Sequence, residues 1–405
     1  MSYFGNIPQA PADSILKLSV MSKADPSSSK VDLGVGAYRD DSGKPWVLPA
    51  VREASKRLAA DPAFNHEYLP VGGLPALTDG AQALIFGNSM SIQEKRVYTI
   101  QTISGTGANM VGAVFLKQFK NPENAAVYIS KPTWGNHRSI FQTAGHEVRE
   151  YRYCNYETLG LDIDGLLADL RAAPKGQIVV LHACAHNPTG IDPTPEQWQQ
   201  IADAMEEREH FPFFDCAYQG FATGDVDRDA YAIRLFESRG FELLVAESFA
   251  KNMGLYGERT GCLHAVVKDK SQLPMVSSQL NRLSRATIST ASAYGAKVAG
   301  MVLGDSELHR EWVDNMTEMS SRIKTMRDAL RDRLVALGTP GSWDHVANQI
   351  GMFSFTGLSK TQVEALREQY HMYLTEDGRI SVAGLNSGNI DYVAKAIDDV
   401  VRNVK

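Results

Sequence analysis

The chain has 405 residues, which at about 150 residues per domain predicts two or three domains with a substantial core. Hydrophobic residues make up 43% of the sequence and charged residues 22%, values that exclude a disordered or fibrous protein. The 41 basic and 47 acidic residues give a formal net charge of -6, so no positive excess indicates nucleic acid or an anionic membrane as a partner.

Cysteine spacing and the N-terminal segment bear on the compartment. Cys154, Cys184, Cys216 and Cys262 lie far apart without a CxxC pair, which argues against disulfides and zinc and favours a reducing compartment. The first twenty residues lack both a signal-peptide pattern and the arginines of a transit peptide. No apolar run approaches the roughly 18 residues of a membrane span. We expect a cytoplasmic protein without membrane or metal sites; the mitochondrion is the alternative compartment.

Short β-branched or aromatic runs alternate with helix-like stretches through most of the chain. This alternation predicts an α/β sheet with mainly right-handed βαβ connections. Helices are predicted over 106–119, after a glycine-rich turn, and over 195–208, with Thr194 as N-cap. The predicted strands cover 97–103, 125–129, 177–183, 211–214, 242–246 and 262–267.

The pattern changes near Glu307, where a long charged amphipathic stretch begins. It ends at the Gly-Thr-Pro-Gly sequence 338–341, a strong helix stop, and predicts a long helix leading into a second, smaller domain. The tail then predicts strands over 351–355 and 380–382, with a helix over 360–370 between them.

Ligands of open α/β sheets bind beyond the carboxyl ends of strands, so the residues after each predicted strand are candidates. Ser104-Gly105-Thr106-Gly107 follows the first strand and could cradle a phosphate at a helix N-terminus. By itself this signal is weak, and a tight turn without a ligand is the more common cause of such a sequence. Met110 occupies the third glycine position of GxGxxG, and no GK[ST] follows.

His182 and His186 follow another predicted strand, four residues apart and just before Asn187. That spacing suits a metal site only on a helix, and the HExxH glutamate is missing. We therefore interpret His182 as a hydrogen-bonded core histidine.

A carboxylate and an amine end two further predicted strands. Asp215 closes an apolar strand, with Tyr218 three residues on, and a buried carboxylate needs a cation or donors. Lys251 lies between a strand and a glycine-containing loop, where poor solvation favours the neutral, nucleophilic amine. With Arg259 eight residues later, these groups and the phosphate cradle form the set that pyridoxal phosphate requires.

The chain resembles the aspartate aminotransferases of the class I pyridoxal-phosphate-dependent family over nearly its whole length. The resemblance implies fold type I: a large α/β domain with a mixed, mainly parallel sheet and helices on both faces, plus a smaller α/β domain. The implied bounds are an N-terminal arm over 1–14, a small domain over 15–47 and 320–405, and a large cofactor-binding domain over 48–319. The segments that carry the resemblance are VDLGVGAYRDDSGKPWVLP, EYLPVGGLP, ISGTGA, KPTWGNH, HACAHNPTG, FFDCAYQGF, SFAKNMGLYGERTG and GRISVAG.

The resemblance also implies roles for single residues. Lys251 would be the Schiff-base lysine and proton shuttle, Asp215 would hold the pyridine nitrogen protonated, and Tyr218 would donate with Asn187 to the phenolic oxygen. Trp134 would stack on the ring. The remaining implied contacts are the phosphate ligands Ser104, Gly105, Thr106, Ser248 and Arg259, with Tyr68 from a second subunit, and the supporting histidines His137 and His182 behind Asp215.

For the substrate, the resemblance implies that Arg379 binds the α-carboxylate and that Arg285 of a partner subunit binds the distal carboxylate. Trp134, Asn187 and Gly36 would also contact the substrate. After Arg285 the chain has Ser-Thr-Ala-Ser at 289–292, where many relatives have Ser-Asn-Pro-Pro.

The implied reaction converts L-aspartate and 2-oxoglutarate to oxaloacetate and L-glutamate, by a ping-pong route through pyridoxamine phosphate in a homodimer with shared active sites. One alternative is an aromatic amino acid aminotransferase on the same fold. A nucleotide-dependent oxidoreductase, with residues 104–107 as its phosphate loop, is disfavoured by the missing third glycine. A non-catalytic binding protein would have little reason to keep the lysine, acid and arginines together.

Overall fold

The computed structural model of the protein describes residues 2–10, 13–119 and 125–405. Residues 1, 11 and 12 of the predicted N-terminal arm therefore lie outside the described residues. The strands in the described part are β1 Val31–Asp32, β2 Val97–Ile103, β3 Val127–Lys131, β4 Val148–Arg152, β5 Cys154–Asn155, β6 Gly160–Leu161, β7 Ile178–His182, β8 Phe211–Cys216, β9 Leu243–Ser248, β10 Thr260–Val266, β11 Phe353–Phe355, β12 Met372–Tyr373 and β13 Arg379–Ser381.

Helices lie between most of these strands, as the predicted α/β class requires. Short 3₁₀ turns occur at Lys270–Gln272 and Val382–Gly384. The α-helices of the described residues are α1 Ser14–Ala24, α2 Pro49–Ala60, α3 Pro75–Phe86, α4 Met90–Gln93, α5 Ser104–Phe119, α6 Asn136–Thr143, α7 Ile163–Ala172, α8 Pro195–Glu207, α9 Val226–Asp229, α10 Tyr231–Ser238, α11 Leu273–Thr287, α12 Ala293–Gly304, α13 Ser306–Ala336, α14 Asp344–Asn348, α15 Lys360–Tyr370 and α16 Ile390–Asn403.

The main sheet has seven strands in the order β2-β10-β9-β8-β7-β3-β4. Strand β10 runs antiparallel to both of its neighbours, and the other neighbouring pairs are parallel. The predicted mixed, mainly parallel sheet is therefore confirmed.

The central strands are buried on both faces, which explains their nearly continuous apolar sequences. Because side chains alternate along a strand, Val180 and Phe213 join one core cluster, and Leu181 and Phe214 join another. Helices α5 and α6 cover the first face, and helices α7, α8 and α10 cover the second. Helices on both faces of the sheet are thus confirmed.

Most predicted elements occur within two residues of their expected bounds. Strand β2 and helix α15 match them fully, and Thr194 caps α8 in a reciprocal capping box with Gln197. The edge strand β4 was not predicted, because its sequence VREYR is largely polar and its outer residues are exposed. An edge strand needs no apolar run, so the apolar signal used for the other strands is missing there.

The two ends of the chain lie together on one side of the main sheet. Strand β1 pairs in parallel with β12, and β11 pairs antiparallel with β13. The 31-residue helix α13 packs on α2 and α12 at one end and on α14 and α16 at the other. This arrangement is compatible with a small domain built from both termini, while its exact bounds stay a prediction.

Within the described residues, no helix combines the length and apolar character needed to cross a bilayer.

Candidate active site

One edge of the main sheet gathers polar side chains from distant parts of the sequence. Strands β7, β8 and β9 end at this edge, and β10 begins there because it runs in the opposite direction. The cleft above the edge contains about 510 Å³ of empty space. Its walls are formed by Ser104, Gly105, Thr106, Trp134, His182, Cys184, Asn187, Asp215, Ala217, Tyr218, Ser248, Lys251 and Arg259.

One end of the cleft is suited to an anion. Helix α5 begins at Ser104 and offers free N–H groups, and Ser104 Oγ lies 2.9 Å from Ser248 Oγ. A Cβ on Gly105 would lie 3.2 Å from the Ser248 Cβ, so the two segments are in close contact. Ser104 and Arg259 both have positive φ angles, +57° and +54°. Left-handed non-glycine residues cost about 1–3 kcal/mol each and cluster at functional sites.

Asp215 lies deeper in the cleft, where it is 7% exposed. Its Oδ2 accepts hydrogen bonds from His137 Nε2 at 2.9 Å and from Asn109 Nδ2 at 3.3 Å. Thr133 Oγ1 connects the two histidines, at 2.8 Å from His137 Nδ1 and 3.0 Å from His182 Nε2. A chain of three polar side chains, His182, Thr133 and His137, and the separate Asn109 amide therefore hold the Asp215 carboxylate in place.

The Asp215 carboxylate is ionised and only half satisfied. Burial raises its pKa, but the hydrogen bond and charge of His137 oppose burial, and the net pKa lies below its usual value. Its Oδ1 is buried and has no hydrogen-bond partner among the described residues. Since an unpaired buried anion is costly, we infer that this oxygen is available to a cationic donor in the cleft.

Lys251 follows β9 in a turn, and its Nζ lies 4.9 Å from the centre of the Tyr218 ring. Burial lowers the pKa of Lys251 and the charge of Arg259 lowers it further, while Asp215 opposes both effects. The net shift is downward, which increases the fraction of neutral, nucleophilic amine near neutral pH.

Arg379 enters the cleft region from β13 and is 4% exposed. Its guanidinium donates to Asn187 Oδ1 at 3.4 Å and to the Gly34 carbonyl at 2.7 Å. Its Cζ lies 4.3 Å from the centre of the Phe353 ring, and its Nε has no partner among the described residues. Asn187 and Tyr218 both line the cleft. Arg379 is therefore next to the cleft and has donor capacity to spare.

Two other predicted contacts lie beside this group. Trp134 lines the cleft, and its ring meets the His137 ring edge-on at 5.2 Å. Gly36 packs against Phe353 so closely that an added Cβ would lie 2.7 Å from the ring carbon Cζ. A side chain at position 36 would thus displace the ring beneath Arg379.

Tyr68 and Arg285 are not among the residues that line this cleft. Tyr68 is 83% exposed, and Arg285 is exposed with its guanidinium donating to Ser289 Oγ. The 289–292 loop contains no proline, and polar contacts hold it. Ser292 Oγ donates to the Glu258 carbonyl at 3.2 Å, and Gln101 Nε2 donates to the Ser292 carbonyl at 2.8 Å.

Sequence reasoning missed several residues of the site. Asn109 belongs to the predicted helix 106–119 and was not predicted to be a site residue. An asparagine among the apolar residues of a helix is a signal that could have indicated it. Thr133 lies inside the KPTWGNH segment, directly before Trp134, and could have been found there. Cys184 and Ala217 line the cleft, but nothing in their residue types indicates it.

Among the residues that the structure describes, no group of three or more His, Cys, Asp or Glu side chains is placed to hold a metal ion. His182 instead forms a hydrogen bond with the Thr133 hydroxyl, and His186 forms one with the Ser130 hydroxyl. Burial lowers the pKa of both histidines well below the usual value, so both are neutral near neutral pH.

The family model for class I and II aminotransferases matches residues 28–397. The cytoplasmic aspartate aminotransferase of Saccharomyces cerevisiae is 51% identical over 411 residues, covering 98% of this chain and 97% of that relative.

Solved structures agree with this result. The structure of the Saccharomyces cerevisiae cytoplasmic aspartate aminotransferase superposes with a TM-score of 0.97 at 50% identity, covering 100% of this chain and 99% of that one. An aromatic-amino-acid aminotransferase from Burkholderia pseudomallei, covalently bound to pyridoxal phosphate, has a TM-score of 0.95 at 42% identity and covers 99% of this chain and 100% of that one. This chain therefore belongs to the class I and II aminotransferase family.

Proposed function

We propose that the protein is a pyridoxal-phosphate-dependent transaminase that converts L-aspartate and 2-oxoglutarate to oxaloacetate and L-glutamate. The observation that carries this proposal is a single cleft that joins a lysine of lowered pKa, a buried half-paired carboxylate and an anion-binding helix terminus. The relatives named as aspartate aminotransferases support the choice of substrate.

The residues of the cleft fit pyridoxal phosphate. The phosphate would lie at the α5 N-terminus, between Ser104, Thr106 and Arg259, and the unpaired Asp215 Oδ1 is the acceptor that a protonated pyridine nitrogen needs. When bound, pyridoxal phosphate supplies an electron-poor ring that stabilises the electron pair left when the substrate Cα loses its proton.

Lys251 has two tasks in this proposal. As a neutral amine, its Nζ would hold the cofactor and, when free, would accept the proton that leaves the substrate Cα. Asp215, whose pKa is lowered by His137, would stabilise the positive charge on the ring nitrogen. Tyr218 and Asn187, which line the same cleft, would donate to the cofactor's phenolic oxygen.

Substrate recognition requires two carboxylate sites. Arg379 binds the α-carboxylate, since its Nε is unpaired and the planar fork suits a carboxylate. Arg285 and Tyr68 are exposed and lie outside the cleft of their own chain. They are therefore free to contribute to the active site of a second subunit. We therefore propose a homodimer with shared active sites. The Saccharomyces cerevisiae relative is named cytoplasmic, and we assign this protein to the same compartment.

The alternative is an aromatic amino acid aminotransferase. Support for this alternative comes from two aromatic amino acid aminotransferases that superpose on this chain at 42% identity. The ratio of kcat/KM for aspartate to that for phenylalanine separates the two functions.

Absorbance spectroscopy tests the proposal. The protein is loaded with pyridoxal phosphate, and spectra are recorded after L-aspartate and then 2-oxoglutarate are added. We expect the band of the lysine-bound cofactor to disappear with aspartate and return with the oxo-acid, and Lys251→Ala to lack that band. A wild-type protein without the band would contradict the Lys251 role. A band that responds to phenylalanine but not to aspartate would favour the alternative.

A further inference from the structure

An unusual buried cation lies behind the proposed substrate site. Arg327, on the long helix α13, is only 2% exposed. Its guanidinium donates to the main-chain carbonyls of Val346 at 3.2 Å, Gly351 at 2.8 Å and Phe353. Its Nε has no partner among the described residues. A buried guanidinium bound to carbonyls rather than a carboxylate is costly, so its position needs an explanation.

The carbonyl of Phe353 leads from Arg327 to the site. Phe353 begins β11, which pairs with the strand β13 that carries Arg379. The Phe353 ring lies 4.3 Å from the Arg379 Cζ and meets the Tyr218 ring edge-on at 5.7 Å. We call the Phe353 ring the platform, because the Arg379 guanidinium lies over it. Arg379 is the residue that we assign to the substrate α-carboxylate. A cation over an aromatic face is attracted to it and limited in its tilt.

A second contact joins the segment bound by Arg327 to Asn187. Ile350, directly before Gly351, donates its N–H to the Gly190 carbonyl at 2.6 Å. A Cβ on Gly190 would lie 2.5 Å from the Phe353 carbonyl oxygen, so the two main chains touch. Gly190 is three residues beyond Asn187, which accepts a hydrogen bond from Arg379. Two of the groups that contact Arg379, Phe353 and Asn187, are therefore connected to the segment that Arg327 holds.

We propose that Arg327 is a positioning residue for Arg379: it fixes the main chain at Gly351 and Phe353 and so sets the orientation in which Arg379 meets the substrate carboxylate. This inference rests on the proposed function, in which Arg379 binds that carboxylate. A forked pair of hydrogen bonds depends strongly on orientation, so a small tilt of the platform weakens binding. Lysine cannot replace Arg327 fully, because one ammonium lacks the planar spread of donors that reaches three carbonyls.

The test compares Arg327→Met with wild type in the full-length protein loaded with cofactor. We expect KM for aspartate, and the Kd for succinate measured by calorimetry, to rise about tenfold, with kcat changed less than about threefold. The Kd for pyridoxal phosphate should not change, because the proposed phosphate-binding residues lie on helix α5, at the end of β9 and directly before β10. Leu330→Ala is the matched control, since Leu330 is fully buried on the same helix. It should lower the melting temperature but leave KM and the succinate Kd unchanged.

Two further variants keep the inference testable if Arg327→Met does not fold. Arg327→Lys should show a smaller rise in KM, and Phe353→Leu should show the same KM and succinate effects by removing the ring while leaving Arg327 in place. Where the single and double variants fold, the effects of Arg327→Met and Phe353→Leu should not add, because both act through the platform.

Unchanged KM and succinate Kd in the folded Arg327 variants would overturn the inference, as would equal effects from Leu330→Ala. Failure of the proposed function is distinguishable from either result. In that case wild type itself would lack the lysine-bound cofactor band or its response to aspartate.

Discussion

His137 controls the charge of Asp215 more than any other side chain. Burial acts to raise the Asp215 pKa, and the hydrogen bond and charge of His137, together with the charges of His182 and Lys251, lower it below its usual value. His137→Phe removes both contributions, so the Asp215 pKa should rise. The acidic limb of the pH profile of kcat/KM should then move to higher pH, because the carboxylate becomes protonated sooner as pH falls.

This pH shift is measured as kcat/KM against pH for the two proteins. His146→Phe is the matched control, since His146 is also buried but bonds to the Ala113 carbonyl away from the cleft. It should leave the acidic limb where it is. Identical limbs for wild type and His137→Phe would show that Asp215 does not depend on His137.

At the residue scale, the sequence indicates polar residues that follow the ends of strands. It does not indicate residues whose partners are distant main-chain groups. Asp215 and Lys251 could be predicted because polar residues that close apolar strands in a parallel sheet converge at one edge. Arg327 gives no such signal, since an arginine in a charged amphipathic helix is ordinarily exposed. Its partners are carbonyls 19 to 26 residues away, and main-chain acceptors carry no mark in the sequence.

At the element scale, close contact between β10 and the start of α5 depends on Gly261. An added Cβ would lie 2.5 Å from the Glu247 carbonyl oxygen and 2.7 Å from the Ser104 carbonyl carbon. Gly261→Ala must therefore push β10 away from the anion-binding turn. We expect the Kd for pyridoxal phosphate, measured by titration of the cofactor absorbance, to rise by about tenfold or more.

Gly257 provides the control for this prediction. It lies in the same loop as Arg259, and within the described part of the chain only its own neighbours in sequence come within 4 Å of an added Cβ. Gly257→Ala should bind the cofactor as wild type does. Unchanged affinity in Gly261→Ala would mean that the turn can move without loss of its anion site.

Asp25 attaches the end of helix α1 to the neighbouring strand β12. It accepts hydrogen bonds from Tyr373 Oη at 2.6 Å, His371 Nδ1 at 2.8 Å and Ser27 N at 2.8 Å. These contacts, led by Tyr373, lower the Asp25 pKa to about 2. The ionised Asp25 therefore contributes its full share of stability above about 3.9, the pKa of an aspartate in the unfolded chain. This contribution is lost as the pH falls toward about 2.

Asp25→Asn should unfold at lower urea concentration than wild type at pH 7, with a gap that narrows as pH falls below about 4. Asp13→Asn, at the other end of α1, is the control, because Asp13 caps the helix and asparagine caps equally well. A gap that stays constant from pH 7 to pH 3 would show that the Asp25 charge does not contribute.

The strands of the main sheet other than β4, and helices α5, α8, α13 and α15, could be predicted because apolar runs and caps are local signals. Strands β1 and β4 could not, because both depend on tertiary context. Strand β4 exists through pairing with β3 at the sheet edge, and β1 is a two-residue strand that forms only where β12 arrives from the far end of the chain. Neither partner can be identified from the local sequence.

At the scale of the whole molecule, we propose that a second subunit completes the active site. Tyr68 and Arg285 lie outside the cleft that holds Lys251. If Arg285 serves a partner's site, Lys251→Ala and Arg285→Ala chains should restore each other when mixed. In a mixed dimer, the Arg285→Ala chain supplies Lys251 and receives Arg285 from the Lys251→Ala chain, so one of the two sites is complete.

Random exchange makes about half of the dimers mixed, and each mixed dimer has one working site. Activity with aspartate should therefore reach about a quarter of the wild-type value after the two inactive variants are unfolded and refolded together. Refolding each variant alone controls for the procedure and should restore no activity. If Arg285 instead acted within its own subunit, the mixed dimers would contain only defective sites, and co-refolding would give no more activity than the separate variants.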